Sequence, residues 1–585
     1  MMRKLLIGIV VVLLLAGTAW ADYTMPIGIP DPALSFGGTL DPIDTPTPDW
    51  PASWNEGTTS ATEGYYYIDK TDGNATDSGN TYGHPDLPRA SIPEGALSAG
   101  DFIYVHAGTY TAADSGGDRF NWYGTGTSAN PIWITGNPTT NPIFQDHLHI
   151  ADGGSASYII FENFEFSGSA AWLETRPTTD GHTVDHLVIR NCTMTGAQVT
   201  DDRTPINIGP SSSTDYIPNS TINYTVVYNN TISNYGDKSS TEECGVYAGY
   251  HTDYTWVLNN TIFSVGADSL GGCHYADNGT KKTEHYYIGG NTLYGNGENG
   301  IDLKGARYVI ISENTIYGPY TREQGYAIVL HYGAPPSTTV KDAWVIFNKI
   351  YSVSGGIYTS SVGCDNLTIL GNIIYDVKAS YAAQVDALNG YCVRIAGGNG
   401  TFRIVDNTFY QYDKGLDIND LDGTDTCSIH GNIFHTRNST DNYEIEEGTD
   451  ESKIDIDYNQ YYPVAESAAF NWGGSERTLS YMQNTASECA HGAEGDPKLV
   501  NPTTDFSLQS DSPCVDASVE HAAYDAFYTA YSISIEKDYD GTARPQNSVW
   551  DMGAYEYGGS SGSAAFSAGA GSVSFGAGDG SVGFQ

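Results

Sequence analysis

The chain has 585 residues, and its 70 acidic and 26 basic side chains give it a formal net charge of −44 at pH 7. A surface this acidic repels nucleic acid and anionic membranes, so we expect neither as a partner. The length allows several globular domains, although a solenoid uses the same length for one continuous core.

The first residues, MMRKLLIGIVVVLLLAGTAWA, combine Arg3 and Lys4 with an apolar run over residues 5–15 and a small-residue Ala-Trp-Ala ending. This order is typical of a secretory signal peptide, which we place at residues 1–21. The apolar run is shorter than the roughly 20 residues that span a bilayer, which argues against a retained anchor. We therefore expect a protein that is secreted, extracellular or at the cell surface, without membrane insertion.

Two segments of different composition follow the signal. Residues 22–62 are rich in Pro, Thr and Gly, and this predicts an extended N-terminal arm rather than a packed domain. Residues 63–150 contain short β-rich runs bounded by Gly, Asn and Pro, such as GDFIYVHAGTY and NPIWITG. We predict that they form an N-terminal cap and the first coils of the region that comes next.

Residues 151–460 contain the strongest signal, a repeat of an apolar run, an asparagine and a second short apolar run. The anchoring asparagines are Asn163, Asn191, Asn230, Asn260, Asn291, Asn314, Asn348, Asn372, Asn407, Asn432 and Asn459. They recur every 23 to 39 residues without a helical period, which predicts one β-coil per repeat. Asparagine tolerates left-handed corners, and its amides can bond to one another in a ladder when coils stack.

These repeats resemble the right-handed parallel β-helix of the pectate-lyase-like superfamily over roughly residues 65–460. The resemblance implies an all-β fold of about eleven coils with an asparagine ladder and capping segments. It does not decide the activity, because the same coil occurs in lyases, hydrolases, epimerases, adhesins and phage tailspikes.

The end of the chain has two parts. Residues 461–557, which include GDPKLVNPTTDFSLQSDSPCVDAS and DYDGTARPQNSVWDMGAYEY, resemble the ending of many exported bacterial β-helix proteins, and we expect them to close the last coil. Residues 558–585 form a Gly/Ser-rich tail with a nine-residue near-repeat, AAFSAGAGS then VSFGAGDGS. A flexible tail and an attachment strand are both open interpretations, and self-association through the tail or the N-terminal arm is a possible partner interaction.

All eight cysteines lie after the predicted signal segment, and export permits disulfides. Eight cysteines allow 105 connectivities, so the sequence does not define a disulfide map. Cys489 with Cys514 is the first pairing that we expect.

The first strand of each coil predicts an outward-facing column, because side chains alternate across a strand. Placing Ile301 and Leu303 inward turns Asp302 and Lys304 outward. Aligning the aliphatic pairs of the other coils predicts a column of Asn207, Tyr247, His274, Asp302, Val329, Tyr358, Arg394 and Asp417. Within it we expect the substrate-binding residues to be Tyr247, His274, Tyr358 and Asp417.

Lys304 and His331 are predicted neighbours on successive coils, and this pair suits a uronate polysaccharide lyase. β-Elimination needs a base for the proton beside the uronate carboxylate and a cation to stabilise the enolate. We predict Lys304 as the base, its pKa lowered by neighbouring positive charge, with His331 or Arg394 serving the carboxylate or the leaving oxygen. The candidate cofactor is calcium, a cation that prefers oxygen ligands, held by Asp302, Glu298 and Asp277.

This pair resembles the arrangement in the alginate lyase and chondroitinase B family, which has a lysine on one coil and an Arg-His pair on the next. DLKG supplies the lysine and VLHYG supplies the histidine, while Leu330 stands where that family has arginine. The resemblance implies a polysaccharide partner. Two alternatives remain open, a glycoside hydrolase that uses paired carboxylates and a non-catalytic surface, glycan-binding or filament-forming protein.

Overall fold

The computed structural model describes most of the chain between residues 23 and 558. The described ranges are 23–37, 40–49, 63–78, 81–117, 119–177, 179, 181–199, 203–209, 220–239, 242–249, 251–272, 283–318, 325–332, 339–360, 363–382, 390–419, 421, 423–437, 443–447, 451–462 and 469–558. The predicted signal peptide and most of the predicted tail lie outside them. No helix within these ranges has the length and apolar character needed to cross a membrane.

The predicted all-β, right-handed parallel β-helix is confirmed. One coil consists of three strands, for example Ile301–Lys304, Arg307–Ser312 and Thr315–Tyr317. Each strand pairs in parallel with the equivalent strand of the next coil, as Ile301 does with Ile328. The coils therefore stack into three long sheets. We number the sheets by the order of their strands along one coil.

Sheet 1 contains the first strand of each coil. Its strands are Gly95–Ser98, Phe120–Thr125, Leu148–Ile150, Leu173–Thr175, Ile206–Ile208, Val246–Ala248, Leu270–Gly272, Ile301–Lys304, Tyr326–His331, Gly355–Thr359, Tyr391–Ile395, Lys414–Ile418, Ile445–Glu447 and Phe470–Trp472. Ser475–Arg477 adds an antiparallel strand after the last of them.

Sheet 2 contains the second and longest strand of most coils. Its strands are Tyr65–Ile68, Phe102–Val105, Ile132–Gly136, Ala156–Glu162, Thr183–Arg190, Thr221–Tyr228, Thr252–Leu258, Glu284–Gly289, Arg307–Ser312, Val340–Ile346, Cys364–Leu370, Gly398–Val405, Thr426–His430 and Ile454–Asp457.

Sheet 3 contains the short third strands. They are Thr109–Tyr110, Ile143–Phe144, Glu165–Ser167, Thr193–Thr195, Thr231–Ser233, Thr261–Phe263, Thr292–Tyr294, Thr315–Tyr317, Lys349–Tyr351, Ile373–Tyr375, Thr408–Tyr410, Ile433–His435, Gln460–Tyr462 and Ala493–Glu494. These fourteen strands exceed the eleven coils counted from asparagines, because Thr109–Tyr110, Ile143–Phe144 and Ala493–Glu494 are not preceded by an anchoring asparagine.

Helices are short and lie outside the stacked sheets. The α-helices are Pro32–Ser35, Leu479–Tyr481 and Ala523–Tyr531, and Met482–Ala486 is a π-helix. The 3₁₀-helices are Ala112–Asp114, Ala379–Tyr381 and Glu451–Lys453, and Leu499–Asn501 pairs with Asp505–Leu508 in a separate hairpin.

Asparagine side chains bond from coil to coil through the interior, at the start of sheet 3. The connected residues are Asn230, Asn260, Asn291, Asn314, Asn348, Asn372, Asn407, Asn432 and Asn459. At each step the Oδ1 atom accepts two bonds, as in Asn348, which accepts from Asn314 Nδ2 at 2.9 Å and from the Asn314 backbone N–H at 3.0 Å. Because these amides are buried, the bonds satisfy groups that water cannot reach.

The tight corner is formed by the residue before each of these asparagines. Asn229 and Glu313, for example, have φ values of 53° and 54°. Asn163 and Asn191, which the sequence placed among the anchors, occupy this corner position with φ values of 65° and 56°. Phe164 and Cys192 follow them at the ladder position, so the amide ladder begins at Asn230.

The described part of the N-terminal arm packs on the outer face of sheet 2. Arg190 Nη1 donates to the carbonyl oxygens of Pro42 and Ile43 at 3.0 and 2.8 Å, and the backbone N–H of Ile27 donates to Glu313 Oε1 at 2.8 Å. The described part of the arm is thus packed against the stack. Its apolar residues, among them Phe36, share one buried cluster with sheet 2.

Helix Ala523–Tyr531 of the C-terminal segment covers the same face of sheet 2. The Phe527 ring meets the Trp344 ring edge to face, with 4.8 Å between centroids. A Cβ atom at Gly28 would lie 2.8 Å from the Phe527 ring, so a glycine is needed where the two ends of the chain meet. The N-terminal arm and the C-terminal segment therefore both cover the outer face of sheet 2.

The expected Cys489–Cys514 disulfide is not formed, and all seven described cysteines are free. Cys489 belongs to the apolar cluster inside the coils, where its Sγ atom lies 4.0 Å from the Tyr461 hydroxyl. Cys514 lies in a different apolar cluster with Phe506 and Leu508 of the closing segment. The two thiols are separated because the chain between them passes from the interior to the outside.

Candidate functional site

The outer face of sheet 1 presents one continuous column of side chains. Pairing across successive strands places in it Asn207, Tyr247, Gly271, Asp302, Val329, Tyr358, Arg394 and Asp417. The order is the predicted one except that Gly271 holds the place expected for His274, which lies outside the described residues. The inward residues of that strand are Leu270 and Gly272, so the aliphatic pair used for the alignment is incomplete there.

Asp302 connects the two residues that carry the predicted chemistry. Its Oδ2 atom lies 2.9 Å from Lys304 Nζ, and its Oδ1 atom lies 2.7 Å from His331 Nε2. Lys304 and His331 are directly paired on neighbouring strands. Asp302 is 5% exposed, whereas both partners reach further towards the surface. A buried carboxylate thus aligns an ammonium group and an imidazole on the open face.

Asp302 and Lys304 each shift the pKa of the other towards its charged form. Burial alone would raise the pKa of Asp302, but the hydrogen bond and charge of His331 and the charge of Lys304 lower it. Burial alone would lower the pKa of Lys304, but the nearby carboxylate of Asp302, followed by Asp268, outweighs it and raises the pKa. The expected lowering of the Lys304 pKa is therefore wrong, and Lys304 is a cation rather than a free amine.

A further carboxyl group, Asp268, lies behind the Asp302 pair. Its Oδ1 atom accepts hydrogen bonds from the backbone N–H and Nδ2 of Asn299, at 3.1 and 3.0 Å. Burial, followed by the charges of Asp302 and Glu298, raises the pKa of Asp268 well above its usual range. We call Asp268, Asn299, Asp302, Lys304 and His331 the Asp302 cluster.

Asp268 and Asn299 were not predicted as members of the site. They lie two residues before the inward residues Leu270 and Ile301, so alternation alone assigns them to the inner face. Both precede their strands, in what the sequence presents as a loop, and strand alternation therefore does not fix their direction.

Arg394 lies apart from the Asp302 cluster. Three strand spacings separate it from Asp302 in the column, which is about 14 Å. Its Nε atom donates to Asp417 Oδ2 at 2.6 Å, and its guanidinium lies 5.5 Å from the centroid of the Tyr358 ring. Tyr358 in turn stacks on Tyr326 at 4.9 Å. These residues form a platform beside the cluster, and Arg394 does not reach the same reacting atoms as Lys304.

A cleft of about 400 Å³ adjoins the other side of the cluster on sheet 1. Its lining includes Trp172, Glu174, Arg176, Arg203, Cys244 and Tyr247. A Cβ atom at Gly271 would lie 2.6 Å from Cys244 Sγ and 3.3 Å from Tyr247 Cδ2, so the glycine lets both side chains lean towards Asp302. The cleft, the cluster and the Tyr358 platform follow one another along the same face.

The residues expected to hold calcium do not fit that ion. Asp302 gives one oxygen to Lys304 and the other to His331, and calcium would have to displace both. Asp277 lies outside the described residues. Among the described ones, no group of three or more His, Cys, Asp or Glu side chains is placed to hold a metal ion. The reaction proposed for this site does not use calcium.

Comparison with known proteins supports the fold. Residues 257–434 match the family described as "Right handed beta helix region". No match was found among curated protein sequences.

Several solved structures resemble this chain at low sequence identity. Pectate lyase Pel9A is 13% identical, with 84% of this chain and 96% of that chain covered and a TM-score of 0.33. A mannuronic acid specific polysaccharide family 6 lyase from human gut microbiota is 14% identical, with 70% and 92% covered and a TM-score of 0.37. The Streptococcus pneumoniae surface protein and adhesin PfbA is 11% identical, with 63% and 90% covered and a TM-score of 0.35. These similarities do not indicate an activity for this chain.

Proposed function

We propose that the protein is an extracellular enzyme that cleaves a uronate-containing polysaccharide by β-elimination at the Asp302 cluster. The observation that carries the proposal is the shared carboxylate of Asp302, which holds a lysine cation and an imidazole side by side on an open sheet face. An adjacent cation and base are the two groups that elimination beside a carboxylate requires. The signal-like N-terminal sequence supports an extracellular location.

The positions of these groups assign them distinct roles. With Nε2–H of His331 donated to Asp302, Nδ1 is left to accept the proton beside the uronate carboxylate. The ammonium group of Lys304 neutralises the enolate that forms. The enolate then collapses to a carbon–carbon double bond as the glycosidic carbon–oxygen bond breaks, and the His331 imidazolium returns its proton to the leaving oxygen. Asp302 stays ionised and orients both partners.

Neighbouring groups on sheet 1 suit a long acidic polymer. Arg394 and the ring of Tyr358 lie on one side of the cluster, and the cleft with Arg176 and Arg203 lies on the other. Each offers a guanidinium, which binds carboxylates with paired hydrogen bonds. The cleft also contains Glu174, Glu242 and Glu243, and Arg176 lies 3.8 Å from Glu174. In a chain with a net charge of −44, these cations give the polymer defined points of contact along the face.

The experiment is a cleavage assay on alginate, pectate and a glycosaminoglycan, with absorbance by unsaturated uronates as the readout. Lys304→Ala and His331→Ala should each abolish the absorbing product. Lys341→Ala is the matched control, because Lys341 pairs with Asp365 on sheet 2. Equal product from the wild type and both cluster variants would refute the proposal, and retention of polymer without cleavage would favour the glycan-binding alternative.

A second candidate function, glycoside hydrolysis, is favoured by the opposite pKa shifts of two neighbouring carboxyl groups. The pKa of Asp268 is raised by burial, whereas that of Asp302 is lowered by His331 and Lys304, and a hydrolase separates its acid from the second carboxylate in the same way. Asp302 and Asp417, which share the outward column, are four strands apart, about 19 Å, and this is too far for such a pair of carboxyl groups. New reducing ends without absorbance would identify hydrolysis in the same assay.

A further inference from the structure

A larger cleft, of about 700 Å³, lies on the outer face of sheet 2, away from the Asp302 cluster. One wall is the N-terminal arm at Pro30, and the other is the end of helix Ala523–Tyr531. Its floor belongs to strands Val340–Ile346, Cys364–Leu370 and Gly398–Val405. We call it the flank cleft. Its size is within the usual range for ligand sites.

Aromatic side chains lead into the flank cleft. Six residues in left-handed backbone conformation stack across successive strands of sheet 2, namely Tyr158, His186, Tyr224, Tyr254, His285 and Tyr308. The last three of these line the cleft, together with Trp344 and Tyr531. The next two coils have Asp342 and Asn366 at the same left-handed position, so the stack ends at polar groups inside the cleft.

Arg403 is the cation of the flank cleft. Register places it outward on sheet 2, next to Thr368, which follows Trp344. It is half-buried, and its side chain makes no hydrogen bond or ion pair with the described residues. Burial lowers the pKa of Arg403. A partly desolvated guanidinium without an anion is unfavourable unless a ligand supplies one.

Three further lining residues, Asp342, Asn366 and Thr401, are small and polar. Asn366 Nδ2 donates to Asp342 Oδ1 at 2.9 Å, and the backbone N–H of Thr401 donates to Asn366 Oδ1 at 3.0 Å. The hydroxyl of Thr401 and the spare oxygen of Asp342 complete a set with both donors and acceptors. Such a set matches hydroxyl groups, which also donate and accept.

We propose that the flank cleft is a non-catalytic binding site for an anionic oligosaccharide. A sugar carboxylate binds to Arg403, its hydroxyl groups bond to Asp342, Asn366 and Thr401, and an apolar ring face packs on Tyr308 and Tyr531. Amphipathic rings next to hydroxyl-binding groups are typical of sites that bind molecules with one apolar and one polar aspect. The site would hold the polymer to the protein independently of cleavage on sheet 1.

The test is calorimetric titration with tetragalacturonate and tetramannuronate, using the full chain with Lys304→Ala to prevent turnover. Adding Arg403→Gln should weaken one binding event by about tenfold or more, since a charged hydrogen-bond partner is lost. Arg403→Lys should give an intermediate affinity. Arg437→Gln is the matched control, because Arg437 does not line the flank cleft and pairs with Asp376 and Asp413, and we expect less than a twofold change.

Several outcomes would overturn the proposal. One is unchanged affinity in a folded Arg403→Gln protein, and another is equally tight binding of the neutral cellotetraose. The proposal is separable from the proposed lyase activity, because Arg403→Gln in the otherwise wild-type chain should leave the cleavage rate of short uronates unchanged. If Arg403→Gln does not fold, Tyr531→Ala replaces it, with the same expected loss of affinity.

Discussion

The Nε2 atom of His331 lies 2.7 Å from Oδ1 of Asp302 across two neighbouring coils. The contact depends on the register of two parallel strands, each held by buried aliphatic residues on its inner face. The orientation of the imidazole is therefore fixed by the stack itself, rather than by a mobile loop. The predictions about this site follow from that rigidity.

Replacing Asp302 with Asn should remove most activity without unfolding the protein. The amide keeps the shape of the side chain but loses the charge that orients His331 and balances Lys304. Groups of this kind contribute about 100-fold to 10,000-fold to proton transfer, so we expect a loss in that range. The assay is the rate of unsaturated uronate formation. Asp455→Asn is the control and should leave the rate unchanged, because Asp455 is an exposed residue of sheet 2 that pairs with His430.

Replacing Asp268 with Asn should distinguish the two proposed reactions. Burial raises the pKa of Asp268 and so favours its uncharged form, which an amide resembles; in a lyase we therefore expect the rate to fall by less than about tenfold. In a hydrolase Asp268 supplies the proton to the leaving oxygen, and the loss should be about 100-fold or more. The rate of new reducing ends measures both reactions. A melting temperature that matches the wild type is the required control.

Glu444 should make stability depend on pH in the direction opposite to most carboxyl groups. It is 3% exposed and accepts a hydrogen bond from the Tyr412 hydroxyl. Burial raises its pKa from 4.5 to about 8, although the bond from Tyr412 acts to lower it. The folded state thus keeps a proton that the unfolded state loses above pH 4.5, and this group's effect on stability becomes less favourable as the pH rises towards 8.

Glu444→Gln should consequently raise the thermal midpoint by a few degrees at pH 8 and change it little at pH 4. The measurement is thermal unfolding at the two pH values. Glu446→Gln is the control, because its carboxylate lies on the outer face of sheet 1 and accepts from Tyr391. A gain at pH 4 equal to that at pH 8 would contradict the assignment.

Asn348→Ala should destabilise the fold by about 2–4 kcal/mol, because it leaves several buried donors and acceptors without partners. Asn348 Nδ2 donates to the carbonyl oxygens of Ile311 and Ile346 and to Asn372 Oδ1, all within 3.0 Å. Denaturant unfolding provides the measurement. Asn229→Gly, at an exposed left-handed corner, should change stability by less than about 0.5 kcal/mol. Equal effects of the two changes would contradict an energetic role for the ladder.

The sequence predicts the architecture well because each coil carries its own pattern of apolar residues and asparagine within a short stretch of sequence. Alternation around Ile301 and Leu303 identifies Asp302 and Lys304 as outward residues, and the structure has them so. Prediction from the pattern fails where the pattern is interrupted. At Gly272 an inward aliphatic residue is missing, so the alignment wrongly assigns His274 to the column position that Gly271 occupies. The pattern also cannot give the protonation of Lys304, because the burial of Asp302 and Asp268 arises only when the coils stack.

Other features depend on contacts between residues far apart in the sequence. The composition of the arm predicts an extended chain, and nothing local shows that Arg190 will bind the carbonyl oxygens of Pro42 and Ile43. The flank cleft likewise exists only because Pro30 and Tyr531 come together over sheet 2. Pattern analysis therefore predicts the coils, while the surfaces between the coils and the chain ends require the folded structure.

The meeting of the chain ends at Gly28 and Phe527 has a consequence for how the molecule unfolds. Stacked repeats usually unfold by fraying from their ends, since each repeat touches only its neighbours. Here the arm is anchored from the coil of Arg190 to that of Glu313, and helix Ala523–Tyr531 packs on Trp344 in the middle of the stack. These contacts connect coils that are not direct neighbours, so we expect the coils between Arg190 and Trp344 to unfold together.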